Sequence, residues 1–229
     1  MMDELIIAAR QAAAEPAARA VIITGGKEYF SAGADLNDAR AVKSPPAAID
    51  YFGRWHRLND TLEKLGKPVI AAIEGFCMTG GCELALACDI RVAGEGASFA
   101  ITSSRIGTVA GAGGTQRLPR IVGIGHALEL MFSADTIGAA EAYRIGLINR
   151  LVPAGTALAQ AQKMAAVYEK RAPLSLALIK RAVRQGVQMD LASGLELETF
   201  LVTAIYGTED KHEGISAFLE KREASFKGR

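Results

Sequence analysis

Cysteine, histidine and tryptophan are scarce in this 229-residue sequence, and no apolar run approaches the roughly 20 residues that cross a bilayer. The three cysteines, Cys77, Cys82 and Cys88, lie close together but lack the paired spacing and the nearby histidines of a zinc site. An odd number does not suit a disulfide framework, so they read as buried thiols of a cytoplasmic protein. His56, His126 and His212 are far apart with no metal-ligand spacing and read as surface or helix-end residues, so no metal is expected. Charge of neither sign dominates. With 26 Lys and Arg against 25 Asp and Glu, the formal net charge of +1 leaves no electrostatic footprint for nucleic acid or an anionic membrane. Met1 to Gln11 carries acids inside its apolar segment, unlike a signal peptide.

What is present points to an α/β chain. Half of the residues are hydrophobic, enough at this length for a substantial core in one large domain or one domain with an appendage. Leu5, Ile6, Ala9, Ala12 and Ala13 recur at helical spacing until Glu15-Pro16, which predicts an opening amphipathic helix. Ala20 to Thr24, Pro68 to Ile73, Ile90 to Ala93, Ser98 to Ile101 and Leu147 to Pro153 have the profile of short strands. Ser44-Pro45-Pro46 reads as a loop or lid ahead of a helix over Ala47 to Lys64, with Tyr51, Phe52, Trp55, Leu58 and Leu62 on its apolar side. Gly125 to Phe132 and Ala139 to Arg144 read as further helices. From Thr156 onward strands stop and helices follow, with breaks expected at Pro173 and near Gly186, Gly207 and Gly214. The pattern predicts an α/β core over 1–171 and a helical region over 172–229.

One stretch, Cys77 to Asp89, organises the rest. Gly80 and Gly81 open an apolar helix between two strand-like runs, so backbone can approach a ligand where the helix start presents free N–H groups and the positive end of its dipole. Gly33-Ala34 and Gly113-Gly114 repeat the arrangement of glycine ahead of a helix. Two N–H groups from different segments meeting at one carbonyl oxygen would form an oxyanion hole. Glu83 stands in the first turn of the same helix, where a carboxylate can simply complement the dipole. Yet Leu84, Ala85, Leu86 and Ala87 make this helix apolar on all sides, and a buried carboxylate is too costly to be common without a chemical role. Burial would raise its pKa and the helix start would lower it, leaving the resting charge open.

Four stretches then stand in order along nearly the whole chain: Phe30-Ser31-Ala32-Gly33-Ala34-Asp35-Leu36; Pro68 to Gly75 with Gly80-Gly81-Cys82-Glu83-Leu84; Gly111 to Pro119; and Thr208 to Arg222. Together they resemble the crotonase superfamily, the enoyl-CoA hydratases and isomerases. The resemblance implies a crotonase-like spiral of ββα turns, with a C-terminal α-helical trimerisation region that builds homotrimers, often paired into hexamers. It implies an acyl-CoA thioester as substrate and no cofactor, coenzyme A being part of the substrate. The oxyanion donors carried over are the backbone N–H groups of Ala34 and Gly80, and Glu83 matches the first of the hydratases' two catalytic glutamates. Ala32, Asp35, Leu36, Thr79 and Gly81 fall within the substrate-binding motifs. Phe218 and Lys221 match tail positions that touch CoA bound in a neighbouring subunit. Tyr51 and Trp55 suit either core packing or the lining of an acyl pocket.

Three departures qualify the resemblance. The family's second glutamate falls at Ser103, and a hydroxyl can hold a water but does not accept a proton near neutral pH without another base. Val109-Ala110-Gly111 also puts alanine where proline is common in the family. Family members further carry about one strand pair ahead of the opening helix, whereas Met1 here starts at that helix. The preferred expectation is an enoyl-CoA hydratase working through an oxyanion-stabilised enolate. The alternatives are isomerisation, hydrolysis or decarboxylation with one carboxylate, or a catalytically weak acyl-CoA-binding or assembly subunit.

Overall fold

Short apolar strands alternating with helices build most of this chain, for which a computed structural model describes residues 1–229. The chain divides into two units, the first comprising residues 1–10, 22–63 and 69–162 and the second residues 11–21, 64–68 and 163–229.

In the first unit the order is α1 (Met2–Ala14, which runs on into the second), β1 (Val21–Thr24), α2 (Leu36–Ala41), α3 (Pro45–Lys64), β2 (Val69–Ile73), β3 (Phe76–Met78) and α4 (Gly80–Ala87). There follow β4 (Ile90–Gly94), β5 (Ser98–Ala100), a 3₁₀ turn (Ser103–Ile106), α5 (Gly114–Val122), α6 (Ile124–Ser133), β6 (Ile137–Gly138), α7 (Ala139–Arg144) and β7 (Arg150–Val152). One sheet has the order β1-β2-β4-β7, with β2, β4 and β7 parallel, Ile70 opposite Ile90 and Val92 opposite Arg150. A second has the order β3-β5-β6, with Cys77 opposite Phe99 in its parallel pair and β6 antiparallel to β5. Only Glu74 and Gly75 separate β2 from β3, so the chain turns from one sheet to the other and then enters α4. β4, β5 and α5 repeat the same course, which is the ββα winding expected. Val69 to Ile73 are buried throughout, as a parallel strand covered on both faces requires.

Local expectations differ from the structure at identifiable points. Pro45 and Pro46 form the first turn of α3 rather than a lid, because the first helical N–H groups have no helical acceptor and proline gives up nothing there. The Ser44 hydroxyl accepts the Ala47 N–H at 3.4 Å at this helix start. β3 is a strand in its own right, paired through Ser31 and β5. The last strand is confined to Arg150–Val152. Gly214 lies inside a helix, where one glycine costs only about 1 kcal/mol.

The second unit is mostly helical: the end of α8 (Ala157–Glu169), then α9 (Pro173–Gly186), α10 (Leu191–Tyr206) and α11 (Glu209–Leu219). The Asp190 carboxylate and the Thr208 hydroxyl accept first-turn N–H groups and start α10 and α11. Lys67 closes the end of α1, donating to the carbonyls of Ala12 and Glu15 at 2.6 Å each. The buried Asp210 accepts the N–H groups of Lys227 and Gly228 and holds the C-terminal segment. Ile179, Val183, Leu191, Leu195 and Phe200 are exposed on α9 and α10. No helix is long and apolar enough to cross a membrane.

A buried cation fixes α4 in the first unit. Arg91, 5 % exposed, donates to the carbonyls of Ala85 and Cys88 at the end of α4 and to Leu147 O at 2.7 Å. Arg91→Met leaves these interior acceptors without that donor and is expected to cost roughly 2–4 kcal/mol of unfolding free energy. Urea denaturation measures it, and a loss below about 0.5 kcal/mol would show that these bonds do not hold the helix.

Candidate active site

Two backbone segments meet where glycine alone fits. β3 pairs with Ser31 through Met78 N–H to Ser31 O at 2.9 Å, which lays the segment 31–34 beside the start of α4. A Cβ on Gly33 would lie 2.9 Å from Gly80 N, and one on Gly80 would lie 3.4 Å from Ala34 N. The amides of Ala34 and Gly80, chosen from separate motifs, are therefore neighbours. On the other side of Gly80 the Trp55 ring packs where a Cβ would be, 3.0 Å from Cη2. Gly81 is closed in turn by Ser31, whose own Cβ is 2.5 Å from the place a Cβ would take.

Thr79, just before α4, has φ 44° and ψ −109°, an outlier for a β-branched residue. Such strain persists only where the surroundings over-determine it. Here Thr79 N–H donates to Ala100 O at 2.7 Å, and the Thr79 and Thr102 hydroxyls share a hydrogen bond at 2.8 Å. These bonds tie the start of α4 to the strand end that leads into Ser103. Ser103 opens the 3₁₀ turn and is buried, with its carbonyl accepting the Thr108 N–H.

Glu83 is 2 % exposed, in the first turn of α4. Its Oε1 accepts the N–H groups of Ala112 and Gly114, both at 2.8 Å. Gly113 between them has φ 104°, which turns both flanking N–H groups to one side and makes an anion-holding concavity of the loop. Oε2 accepts no hydrogen bond from the protein. Burial pushes the carboxyl above its ordinary value of 4.5, against the opposing pull of the Gly114 and Ala112 amides and the Arg117 guanidinium.

Sequence reasoning did not single out three residues behind this loop. Asn59 Nδ2 donates to Ala112 O at 2.7 Å, and Arg117 Nη1 donates to the same oxygen at 3.2 Å. Arg117 is held by a two-pronged bond to Glu63, at 2.9 and 2.7 Å. A polar residue at 59, four positions after Trp55 on an apolar helix side, is the signal that could have found Asn59.

Among the other expected residues, Ala32, Asp35 and Leu36 are exposed near the Ala34 amide. The Asp35 carboxylate accepts the Asn37 N–H at 2.7 Å and caps α2. Trp55 is buried and contributes to the core, and Tyr51 is half-buried with its ring edge-on to Phe52. Phe218 and Lys221 belong to the second unit. There Phe218 is 83 % exposed and lines a cavity of about 320 Å³ with Lys170, Arg171, Arg222 and Phe226.

A family model for enoyl-CoA hydratase/isomerase matches residues 1–229. The 2,3-dehydroadipyl-CoA hydratase of Escherichia coli is 40 % identical, over 100 % of this chain and 89 % of its own. The crotonyl-CoA hydratase of Syntrophomonas wolfei is also 40 % identical, over 93 % of this chain and 82 % of its own. The crystal structure of an enoyl-CoA hydratase from Bacillus anthracis superposes with a TM-score of 0.94 at 38 % identity, over all of this chain and 88 % of that one. The chain belongs to the enoyl-CoA hydratase/isomerase family, the crotonase superfamily, and is an enzyme of that type.

The raised Glu83 value gives a signed test on folding. Since the folded carboxyl holds its proton to higher pH than the unfolded one, ionising it in the fold costs stability as pH rises from about 4.5. The stability of Glu83→Gln relative to the native chain should therefore grow with pH and level off once the native carboxyl is ionised. Urea unfolding from about pH 4 to about pH 8 reads this, and a difference independent of pH would contradict the raised value.

Proposed function

We propose that this enzyme is an enoyl-CoA hydratase, adding water reversibly to a 2-enoyl-CoA thioester. The observation that carries the reading is the meeting of the Ala34 and Gly80 backbone, with Glu83 one turn further along α4. Amides at that point suit a thioester oxygen that gains negative charge as water adds at the β-carbon, since preorganised donors act most strongly where charge develops. Ala32, Asp35, Leu36, Thr79 and Gly81 supply the walls on either side of this point.

Glu83 is the acid/base group in this reading. Its Oε1 is occupied by two amides, so Oε2 takes the proton from water as the C–O bond forms and returns it to the α-carbon of the enolate. One carboxyl then performs both transfers, and a value above the ordinary carboxylate range favours the return. The Ser103 hydroxyl holds the water rather than deprotonating it. The scheme requires no cofactor, because coenzyme A enters as part of the substrate.

Serine at position 103 leaves one carboxyl, which would also suffice for a second reading, in which that carboxyl moves one proton between carbons and isomerises the double bond, or serves a hydrolysis or decarboxylation, although the pattern does not by itself select isomerisation. Product mass separates them, since hydration adds one water and isomerisation adds nothing. With an enoyl-CoA substrate the native protein should consume the conjugated thioester chromophore, and Glu83→Gln should lower turnover by roughly 10²- to 10⁴-fold while leaving acyl-CoA binding in place. Equal turnover in the variant would remove Glu83 from the chemistry.

We also propose assembly as a homotrimer or a hexamer formed from two trimers, with Phe218 and Lys221 touching the CoA of a neighbouring subunit. Exposed Ile179, Val183, Leu191, Leu195 and Phe200 support an assembly face, because a run of apolar side chains in water is unfavourable. A reducing, cytoplasmic setting is supported by three free buried thiols. Light scattering should give a mass near three or six times the 24.1 kDa chain, and a monomer at micromolar concentration would overturn the assembly.

A further inference from the structure

The loop that holds Glu83 is itself held from behind, at one atom. Residues 112–114 present alternating faces: the N–H groups of Ala112 and Gly114 point to Glu83 Oε1, while the Ala112 carbonyl points away into the side chains of Asn59 and Arg117. Because Gly113 has φ 104°, a conformation that glycine enters without cost, the loop has no intrinsic preference that would keep it there. The direction of the two N–H groups depends on what grips the carbonyl between them. Asn59 is completely buried, and its Oδ1 has no hydrogen-bond partner, so its placement is not accounted for by satisfying its own polar groups. Its one hydrogen bond is the one to Ala112 O. Arg117 reaches the same oxygen, steadied by Glu63 through two bonds and by Asp60 at 3.7 Å.

We propose that Asn59 and Arg117 are positioning residues for Glu83, gripping the Ala112 carbonyl so that the adjacent amides fix Oε1 and leave Oε2 as the oxygen that exchanges protons. This rests on Glu83 being the acid/base group. Two consequences follow from the geometry. Loosening the grip lets the carboxyl rotate and lowers the rate of proton transfer without touching the Ala34 and Gly80 amides that receive the thioester. Changing the charge at 117 or 63 changes the proton affinity of Glu83.

The charged surroundings of Glu83 make the second consequence separable. From α5 the charged group acting on it is Arg117. From α3, Glu63 and Asp60 bear on it through Arg117, whose charge they partly offset. β3 brings only the thiol of Cys77, and α4 itself the thiols of Cys82 and Cys88. Removing the positive charge at 117 therefore raises the proton affinity of Glu83, and removing the negative charge at 63 lowers it.

The experiment is the pH profile of kcat/KM for hydration of an enoyl-CoA thioester by the full chain, native and as Arg117→Gln, Glu63→Gln, Arg117→Lys and Asn59→Ala, with Glu83→Gln as reference. The acid limb, where the base becomes protonated, should move up by about half to one pH unit in Arg117→Gln and down in Glu63→Gln. Arg117→Lys, which keeps the charge but not the fork, should leave the limb in place and lower kcat by roughly 10- to 100-fold with KM within about twofold. Asn59→Ala should behave like Arg117→Lys. A merely structural role would lower kcat and stability together and move neither limb. Unmoved limbs, or limbs that move in the same direction, overturn the proposal even if Glu83→Gln is inactive. An active Glu83→Gln removes the reading on which it rests. If Arg117→Gln does not fold, the direction of the Glu63→Gln limb decides.

Discussion

A carboxylate buried in an apolar helix is the constraint from which the rest of this site follows. Glu83 on α4 is surrounded by Leu84, Ala85, Leu86 and Ala87, all buried, and an ionised group so far from water is costly unless donors replace the lost hydration. The replacement is two backbone amides of a loop that reaches α4 from the start of α5. Backbone donors bring no competing charge and no side-chain freedom, so they hold Oε1 and leave Oε2 without a donor. They do not fully offset burial, and the carboxyl stays above its ordinary value. That balance suits the acid/base role proposed for Glu83.

One side of α3 supports both parts of the site. Phe52 packs on Gly111, Trp55 on Gly80, Asn59 on the Ala112 carbonyl, and Glu63 on Arg117. Spacings of three and four residues put these side chains in one row along the helix. A row on one rigid element sets the distance between the Ala34 and Gly80 amides and the loop that holds Glu83, so in the proposed reaction misplacement of either would cost rate steeply. The apolar members fill space at glycine and the polar members direct hydrogen bonds, a division that hydrophobic periodicity alone does not reveal.

Much of the fold was legible because it depends on local pattern. β2 and β4 read as buried strands from their apolar runs, α7 matched its expected limits, and Gly80-Gly81 and Glu83 stood out from spacing and the resemblance of four motifs. Misreadings came where context outweighs composition. Two prolines look like a loop but are harmless in a first helical turn, and Gly214 looks like a break but remains inside α11. β3 is only three residues long, and its pairing partners, Ser31 and β5, are distant in sequence.

By itself the sequence determined the order of the longer strands and helices and, through four motifs, the family, because periods and motifs are properties of neighbouring residues; the ββα course came with the family resemblance. Tertiary structure alone decided that Gly33 and Ala34 lie against Gly80, that Glu83 is held through Oε1 rather than left to the helix dipole, and that Asn59 and Arg117 share one carbonyl oxygen. Apart from Arg117, which is near Ala112 in sequence, those relations join positions some 30 to 50 residues apart, through close approaches and hydrogen bonds whose partners are backbone atoms. Every residue carries the same N–H and C=O, so nothing in the one-letter sequence distinguishes the amide of Ala112 from any other until the chain has folded.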